Sequence, residues 1–84
     1  MPEELVGTVI HFFKGPSVAM VQLTAGELAV GDQVHIQGHT TNFTTPITSM
    51  QLNHQPVERA QAGSEVAIQV GDRARPKDQV FKVS

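Results

Sequence analysis

The sequence has 84 residues, no cysteine and a formal net charge of −2 at pH 7. The length predicts one domain, over residues 1–84 with an ordered core from about 5 to 83, and the missing cysteines exclude disulfides and thiolate zinc sites. The charge gives no overall attraction to nucleic acid. The sequence shows neither a run of ~18 apolar residues nor a signal peptide, so we expect a cytoplasmic protein without membrane contact.

Glycine and proline punctuate the sequence at short intervals, and the runs between them are rich in Val, Ile, Thr and Phe. This pattern is typical of an all-β fold, and no stretch keeps a helical period. We therefore expect a small closed or nearly closed antiparallel β-barrel of six or seven strands. In chain order, the predicted strands are Val6–Phe13, Val18–Thr24, Gln33–Gln37, Phe43–Leu52, Val66–Val70 and Gln79–Val83.

Apolar residues alternate with polar ones in most of these runs, which places them on the inward face of the sheet. Pro46 marks an edge or a bulge within the fourth strand. In the last strand both Val80 and Phe81 are apolar, so its inward face stays ambiguous. The predicted core residues are Val9, Val21, Leu23, Val34, Ile36, Met50, Leu52, Val66, Ile68 and Val70.

A sharp corner is predicted at Val30-Gly31-Asp32, immediately before the third strand. Glycine takes a positive φ at little cost, and an aspartate side chain accepts hydrogen bonds from nearby backbone amides. We therefore expect Gly31 in a left-handed conformation. This corner serves the fold, and no chemistry follows from it alone.

The order of these motifs resembles the second, β-barrel domain of translational GTPases such as elongation factor Tu and initiation factor two. The resemblance covers roughly Leu5–Val83 and depends on Val30-Gly31-Asp32, on the strand Ile47–Leu52 and on the Ala-Gly-x-x-Val motif at residues 62–66. The segment Gly38–Gly63 and the ending RARPKDQVFKV look closer still to the C-terminal barrel of collagenase-like peptidases. Free-standing translation elongation factor-like proteins are similar as well.

The resemblance implies a binding module, because this sequence lacks the G-x-x-x-x-G-K-[ST] phosphate loop and any peptidase domain. We expect no GTP binding. The implied function is a non-enzymatic module of translation-factor type that contacts RNA or the ribosome. The alternative is a protein–protein adaptor that acts with an enzyme related to the collagenase-like peptidases.

The residues themselves predict no catalytic, cofactor or metal site. His35 and His39 would lie roughly 13 Å apart along an extended strand, which is too far to share an ion unless the chain bends at Gly38. No serine stands in a nucleophile elbow, and the only adjacent acidic pair, Glu3-Glu4, lies near the terminus. Surface histidines are the simpler interpretation.

Exposed aromatic side chains would provide stacking platforms for nucleic-acid bases. The sequence has four phenylalanines and no tyrosine or tryptophan. Phe12 and Phe13 are adjacent, so one of them must face away from the core. Stacking on a partner is therefore open to Phe13 or Phe43, and burial is the alternative.

The basic residues concentrate after residue 71, where Arg73, Arg75 and Lys77 alternate along the chain. If this segment is extended, their side chains project from one side. The polar loop at residues 39–42 offers groups that hydrogen-bond phosphate or sugar oxygens. The alternative is that the charges only solvate an edge strand and prevent edge-to-edge pairing. The candidate RNA or partner contacts are Arg73, Arg75, Lys77, His39, Thr40, Thr41 and Asn42.

Overall fold

The computed structural model describes residues 3–83, which form ten β-strands and the turns between them. Met1, Pro2 and Ser84, which belong to the predicted single domain, lie outside the described residues. Within residues 3–83, no helix is long and apolar enough to cross a lipid bilayer. The strands are β1 (Glu3–Phe13), β2 (Val18–Leu23), β3 (Glu27–Ala29), β4 (Gln33–Gln37), β5 (Asn42–Pro46), β6 (Met50–Leu52), β7 (Gln55–Val57), β8 (Arg59–Gln61), β9 (Glu65–Gln69) and β10 (Gln79–Val83).

Eight strands form one sheet in the order β5-β4-β10-β1-β2-β9-β6-β7, and β3 pairs with β8 in a separate ribbon. Every described strand pair is antiparallel, so the all-β antiparallel class is confirmed. The expected closed barrel of six or seven strands is not what the structure shows. Within the described residues, β5 and β7 end the pairing order and do not pair with each other. Among residues 3–83, the buried apolar side chains form one core cluster.

The predicted strand Phe43–Leu52 is two strands with different neighbours. β5 pairs with β4, whereas β6 pairs with β9 and β7. Between them lies the buried Ile47, whose backbone is bonded to the corner before β4. The Ile47 N–H donates to Asp32 O at 2.8 Å, and the Gly31 N–H donates to Ile47 O at 2.9 Å. Pro46 is the last residue of β5 and pairs with Gln33 of β4. The chain thus leaves β4 and joins β9 and β7 near Ile47, although the alternating pattern of apolar residues continues through that position.

The core follows the predicted alternation. Nine of the ten predicted core residues are buried, and Leu52, the last residue of β6, is half-buried. The structure also settles the last strand, because Val80 is buried and Phe81 is only half-buried. The further buried apolar residues are Val6, Ala19, Leu28, Ile47, Ala60, Ala74 and Val80.

Three strands of three residues each, β3, β7 and β8, were not predicted from the sequence. Three residues show too little alternation to be recognised. The ribbon of β3 and β8 nevertheless completes the core, since Leu28 and Ala60 face each other in its register and both are buried.

The corner before β4 has the predicted conformation. Gly31 has φ +100°, and the Asp32 carboxylate accepts a hydrogen bond from the Ala29 N–H at 3.0 Å. The Asp32 N–H in turn donates to Ala29 O at 3.0 Å, which closes a four-residue turn. A positive φ at the third position of such a turn favours glycine.

Candidate functional site

The basic residues lie on the connection between β9 and β10, and the connection is bent rather than extended. The Asp78 N–H donates to Arg75 O at 3.1 Å, and the Arg75 N–H donates to the buried Asp78 carboxylate at 2.8 Å. Lys77 has φ +78°, a left-handed conformation within this turn. Arg73, Arg75 and Lys77 are all exposed, and Ala74 between them is buried. Because the segment is bent, Arg73, Arg75 and Lys77 do not lie along an extended strand as the sequence predicted.

The edge-strand interpretation of these charges does not fit the structure. β10, the strand that follows them, pairs with β1 on one side and β4 on the other. The strands at the two ends of the sheet are β5 and β7. The basic residues therefore lie on a loop that leads into an inner strand, and they protect no edge.

The loop at residues 39–42 lies at the same end of the sheet as the basic turn. Gln37 in β4 pairs with Gln79 in β10, and the next residue, Gly38, lies directly against the Asp78 carboxylate. The Gly38 N–H donates to Thr41 O at 2.7 Å and closes the turn between β4 and β5. The fold thus brings the two predicted segments together through Gly38 and Asp78.

The side chains of this loop differ in what they offer to a partner. His39 and Thr40 are exposed, but Thr41 is only 5% exposed, so its hydroxyl is not available as predicted. The side-chain oxygen of Asn42 is engaged by a ring nitrogen of His35. Asn42 is nevertheless exposed, so three of the four predicted loop residues, His39, Thr40 and Asn42, are open to a partner.

His35 joins three strands through its imidazole. Nδ1 lies 2.9 Å from a Glu3 carboxylate oxygen on β1, and Nε2 bonds the Asn42 oxygen on β5. Two acceptors on the two ring nitrogens favour the doubly protonated imidazolium. The Glu3 hydrogen bond first, and then the Asn42 bond, raise the pKa of His35 above its usual value of 6.5. This cluster stabilises the sheet at low pH.

Within residues 3–83, no three His, Cys, Asp or Glu side chains converge in an arrangement that would hold a metal ion. Phe43 packs against the core, whereas Phe13 is 42% exposed. Of the two candidate stacking residues, Phe13 is the more exposed, because Phe43 is half-buried. The Phe13 and His11 rings lie in a T-shaped contact, with the two centroids 4.5 Å apart.

A groove of about 540 Å³ crosses the outer face of the sheet, and the sequence did not predict it. Its floor is the row Met20, Ala67 and Gln51, which are cross-strand neighbours on β2, β9 and β6. The small Ala67 side chain lies in the middle of this row and leaves a depression. The signal that could have revealed the groove is the presence of Val18, Met20 and Ala67 on the outward faces of β2 and β9.

Two turns form the walls of this groove. Phe13 and Pro16, from the end of β1 and the turn after it, line one side, and Asn53 and His54, from the turn between β6 and β7, line the other. Glu65 contributes a carboxylate at the start of β9. Among residues 3–83, no lysine or arginine lines the groove. The groove thus has one apolar wall, one polar wall, a floor that is apolar at Met20 and Ala67, and one acidic side chain.

Comparison with known proteins shows sequence relatives among proteases and collagenases. The chain is 36% identical over 77 residues to an uncharacterized protease of Methanocaldococcus jannaschii, covering 90% of this chain and 19% of that protein. It is 32% identical over 78 residues to a collagenase of Porphyromonas gingivalis, covering 92% of this chain and 22% of that protein. The chain thus spans about a fifth of the length of these curated relatives. No protein-family model matches the chain.

Solved structures share the fold. The C-terminal domain of a Geobacillus thermoleovorans protein assigned to the U32 peptidases has a TM-score of 0.88 at 23% identity, covering 96% of this chain and 93% of that domain. A bacterial selenocysteine-specific elongation factor has a TM-score of 0.78 at 21% identity, covering 95% of this chain and 15% of that protein. The chain therefore has a translation-factor-domain-two-like fold. The two sequence matches are to a protease and a collagenase, whereas the likeness to the elongation factor, at 21% identity, is a likeness of fold alone.

Proposed function

We propose that this chain is a non-catalytic protein-binding domain that acts with a peptidase of the collagenase-like kind. The observation that carries the proposal is the sequence match, which covers nine-tenths of the chain but only about a fifth of each relative. In such relatives the matching segment accompanies a much larger remainder. The solved domain with the same fold is described as the C-terminal domain of a U32 peptidase protein. The domain would bind that larger remainder, within one polypeptide or between two.

The experiment is a complementation in trans. The collagenase of Porphyromonas gingivalis is produced without the segment that matches this chain, and isothermal titration calorimetry measures whether this chain binds the truncated enzyme. The deleted segment, added separately, is the positive control. We expect both to bind with micromolar affinity, about −8 kcal/mol, and to change the rate of gelatin hydrolysis. Binding by the deleted segment but not by this chain would contradict the proposal.

RNA binding is the second candidate function, and the exposed basic loop favours it. Arg73, Arg75 and Lys77 are exposed on a connection that lies beside the turn between β4 and β5. The fold is also present in an elongation factor. Phosphate contacts by two or three cations would make the affinity for RNA depend on salt concentration.

Neutralising the three basic residues tests this candidate. The triple change to glutamine should lower the affinity for single-stranded RNA and reduce the slope of log K against log salt by about two units. A control variant, Lys14→Gln with Arg59→Gln, removes two exposed charges elsewhere and should leave the slope close to that of the parent. Equal slopes for the parent and the triple variant would exclude this loop as an RNA contact.

A further inference from the structure

We propose that the outer-face groove binds an extended segment of a protein partner that carries a large apolar side chain with a lysine or arginine close to it. This inference deepens the proposed function and rests on it, because it names the surface and the chemistry by which the domain recognises its partner. The groove volume of about 540 Å³ lies within the ordinary range for binding pockets, about 300–1,000 Å³.

The apolar half of the recognition comes from the floor and one wall. Met20 and Ala67 are half-buried on the outward face, and Phe13 is 42% exposed beside them. Methionine adapts its shape to different apolar partners, and an aromatic ring contributes a large contact area at low entropic cost. A leucine or phenylalanine of the partner would fill the depression above Ala67.

The strands beneath the groove have no free backbone edge. β2 pairs with β1 and β9, β9 pairs with β2 and β6, and β6 pairs with β9 and β7. The partner segment therefore does not add a strand to the sheet. It must be held by side chains, and the amides and hydroxyl of Gln51, Gln69 and Ser49 in the lining can bond its backbone.

The charge of the groove decides between protein and nucleic acid. Among residues 3–83, Glu65 is the only Asp, Glu, Lys or Arg that lines the groove. A nucleic acid would bring phosphates next to this carboxylate with no lining lysine or arginine to neutralise them, whereas nucleic-acid binding depends on such neutralisation. A basic side chain of a protein partner complements Glu65 instead.

The test begins with a random heptapeptide library displayed on phage and selected on the immobilised protein. Counter-selection uses the variant Ala67→Leu, in which a larger side chain fills the depression. The control variant Ala62→Leu changes an exposed alanine in the turn after β8. We expect the selected peptides to combine a large apolar residue with Arg or Lys, and to bind Ala62→Leu but not Ala67→Leu.

Point variants then measure each half of the recognition with a selected peptide. Phe13→Ser should weaken peptide binding at least about tenfold, whereas Ile10→Ser, at another exposed apolar position of β1, should not. Glu65→Gln should weaken it about two- to fivefold, as expected for an exposed ion pair. Glu27→Gln removes an exposed carboxylate on β3, outside the groove, and should have no effect.

Several outcomes would overturn the proposal. Selected peptides without a basic residue would refute the role of Glu65, and no enrichment over the Ala67→Leu variant would refute the groove itself. Amide NMR shifts of groove residues with oligo(U), but not with peptide, would assign the groove to nucleic acid. Shifts that depend on protein concentration alone would assign it to a second copy of the chain.

The same variants separate this inference from the proposed function. If the chain binds the truncated peptidase and Phe13→Ser binds it equally well, the function stands and the groove is refuted as its interface. If the chain does not bind the peptidase but selects basic apolar peptides, the proposed enzyme partner is wrong and the groove chemistry stands.

Discussion

The contact between Gly38 and Asp78 gives the sharpest prediction for the stability of the fold. A Cβ at position 38 would lie 1.8 Å from Asp78 Oδ1 and 2.6 Å from its Cγ. No side chain tolerates such distances, so Gly38→Ala must displace the buried carboxylate. The displacement breaks the hydrogen bond from the Arg75 N–H, which closes the basic turn.

The magnitude follows from two contributions. A hydrogen bond to a charged group contributes about 1.5–3 kcal/mol, and moving a buried side chain off its rotamer costs about 0.5–1.5 kcal/mol. Gly38→Ala should therefore lower the free energy of unfolding by about 2–4 kcal/mol. For a domain of this size each kcal/mol shifts the melting temperature by about 4–8 °C, so we expect a fall of roughly 10 °C or more.

The assay is thermal and urea unfolding followed by far-UV circular dichroism, because the chain has no tryptophan or tyrosine for fluorescence. Gly15→Ala is the matched control, since no atom lies within 4 Å of a Cβ added there. In an Asp78→Ala background, Gly38→Ala should cost much less, which a double-mutant cycle measures. A melting temperature for Gly38→Ala equal to that of Gly15→Ala would refute the reasoning.

Three further predictions follow from the corner, the imidazole and the missing phosphate loop. Gly31→Val should lower the free energy of unfolding by about 1–3 kcal/mol because of its φ of +100°, and an unchanged melt would show that this conformation carries no cost. The raised pKa of His35 stabilises the fold below its unfolded value of 6.5, and this stabilisation is lost as pH rises through the folded pKa. His35→Gln should remove that pH dependence from urea midpoints, and a profile identical to the parent would contradict the assignment. Fluorescent GTP should show no saturable binding at micromolar concentration, and saturation would refute the prediction.

The strands that the sequence predicts well have at least five residues and keep the same neighbouring strands along their length. β4 and β10 have the predicted bounds, and β2 differs by one residue. The run Phe43–Leu52 failed because its apolar pattern continues through Ile47, where the chain leaves one neighbour for another. Alternation of apolar and polar residues predicts which face of a strand is buried, but it does not predict which strand pairs with it.

The candidate site was harder to predict, for a physical reason. Charge and polarity identified the exposed Arg73, Arg75 and Lys77, but the turn that holds them depends on Asp78, whose carboxylate is buried by contacts distant in sequence. The groove depends on Ala67 lying between Met20 and Gln51 across three strands. Such a row of cross-strand neighbours cannot be predicted until the strand order is known.

The two candidate surfaces use different parts of one sheet, which makes their functions separable. The groove is built from outward side chains of strands that are paired on both sides, whereas the basic residues lie on a connection anchored by the buried Ala74. No basic residue of that loop lines the groove, so changing the loop leaves the groove chemistry intact. A fold of this kind can therefore exchange loop charges and keep its sheet, which is how one architecture serves different partners. The high TM-scores to a peptidase domain and to an elongation factor therefore do not distinguish a protein partner from an RNA partner. That choice depends on whether Glu65 and Phe13, or Arg73 and its neighbours, control binding.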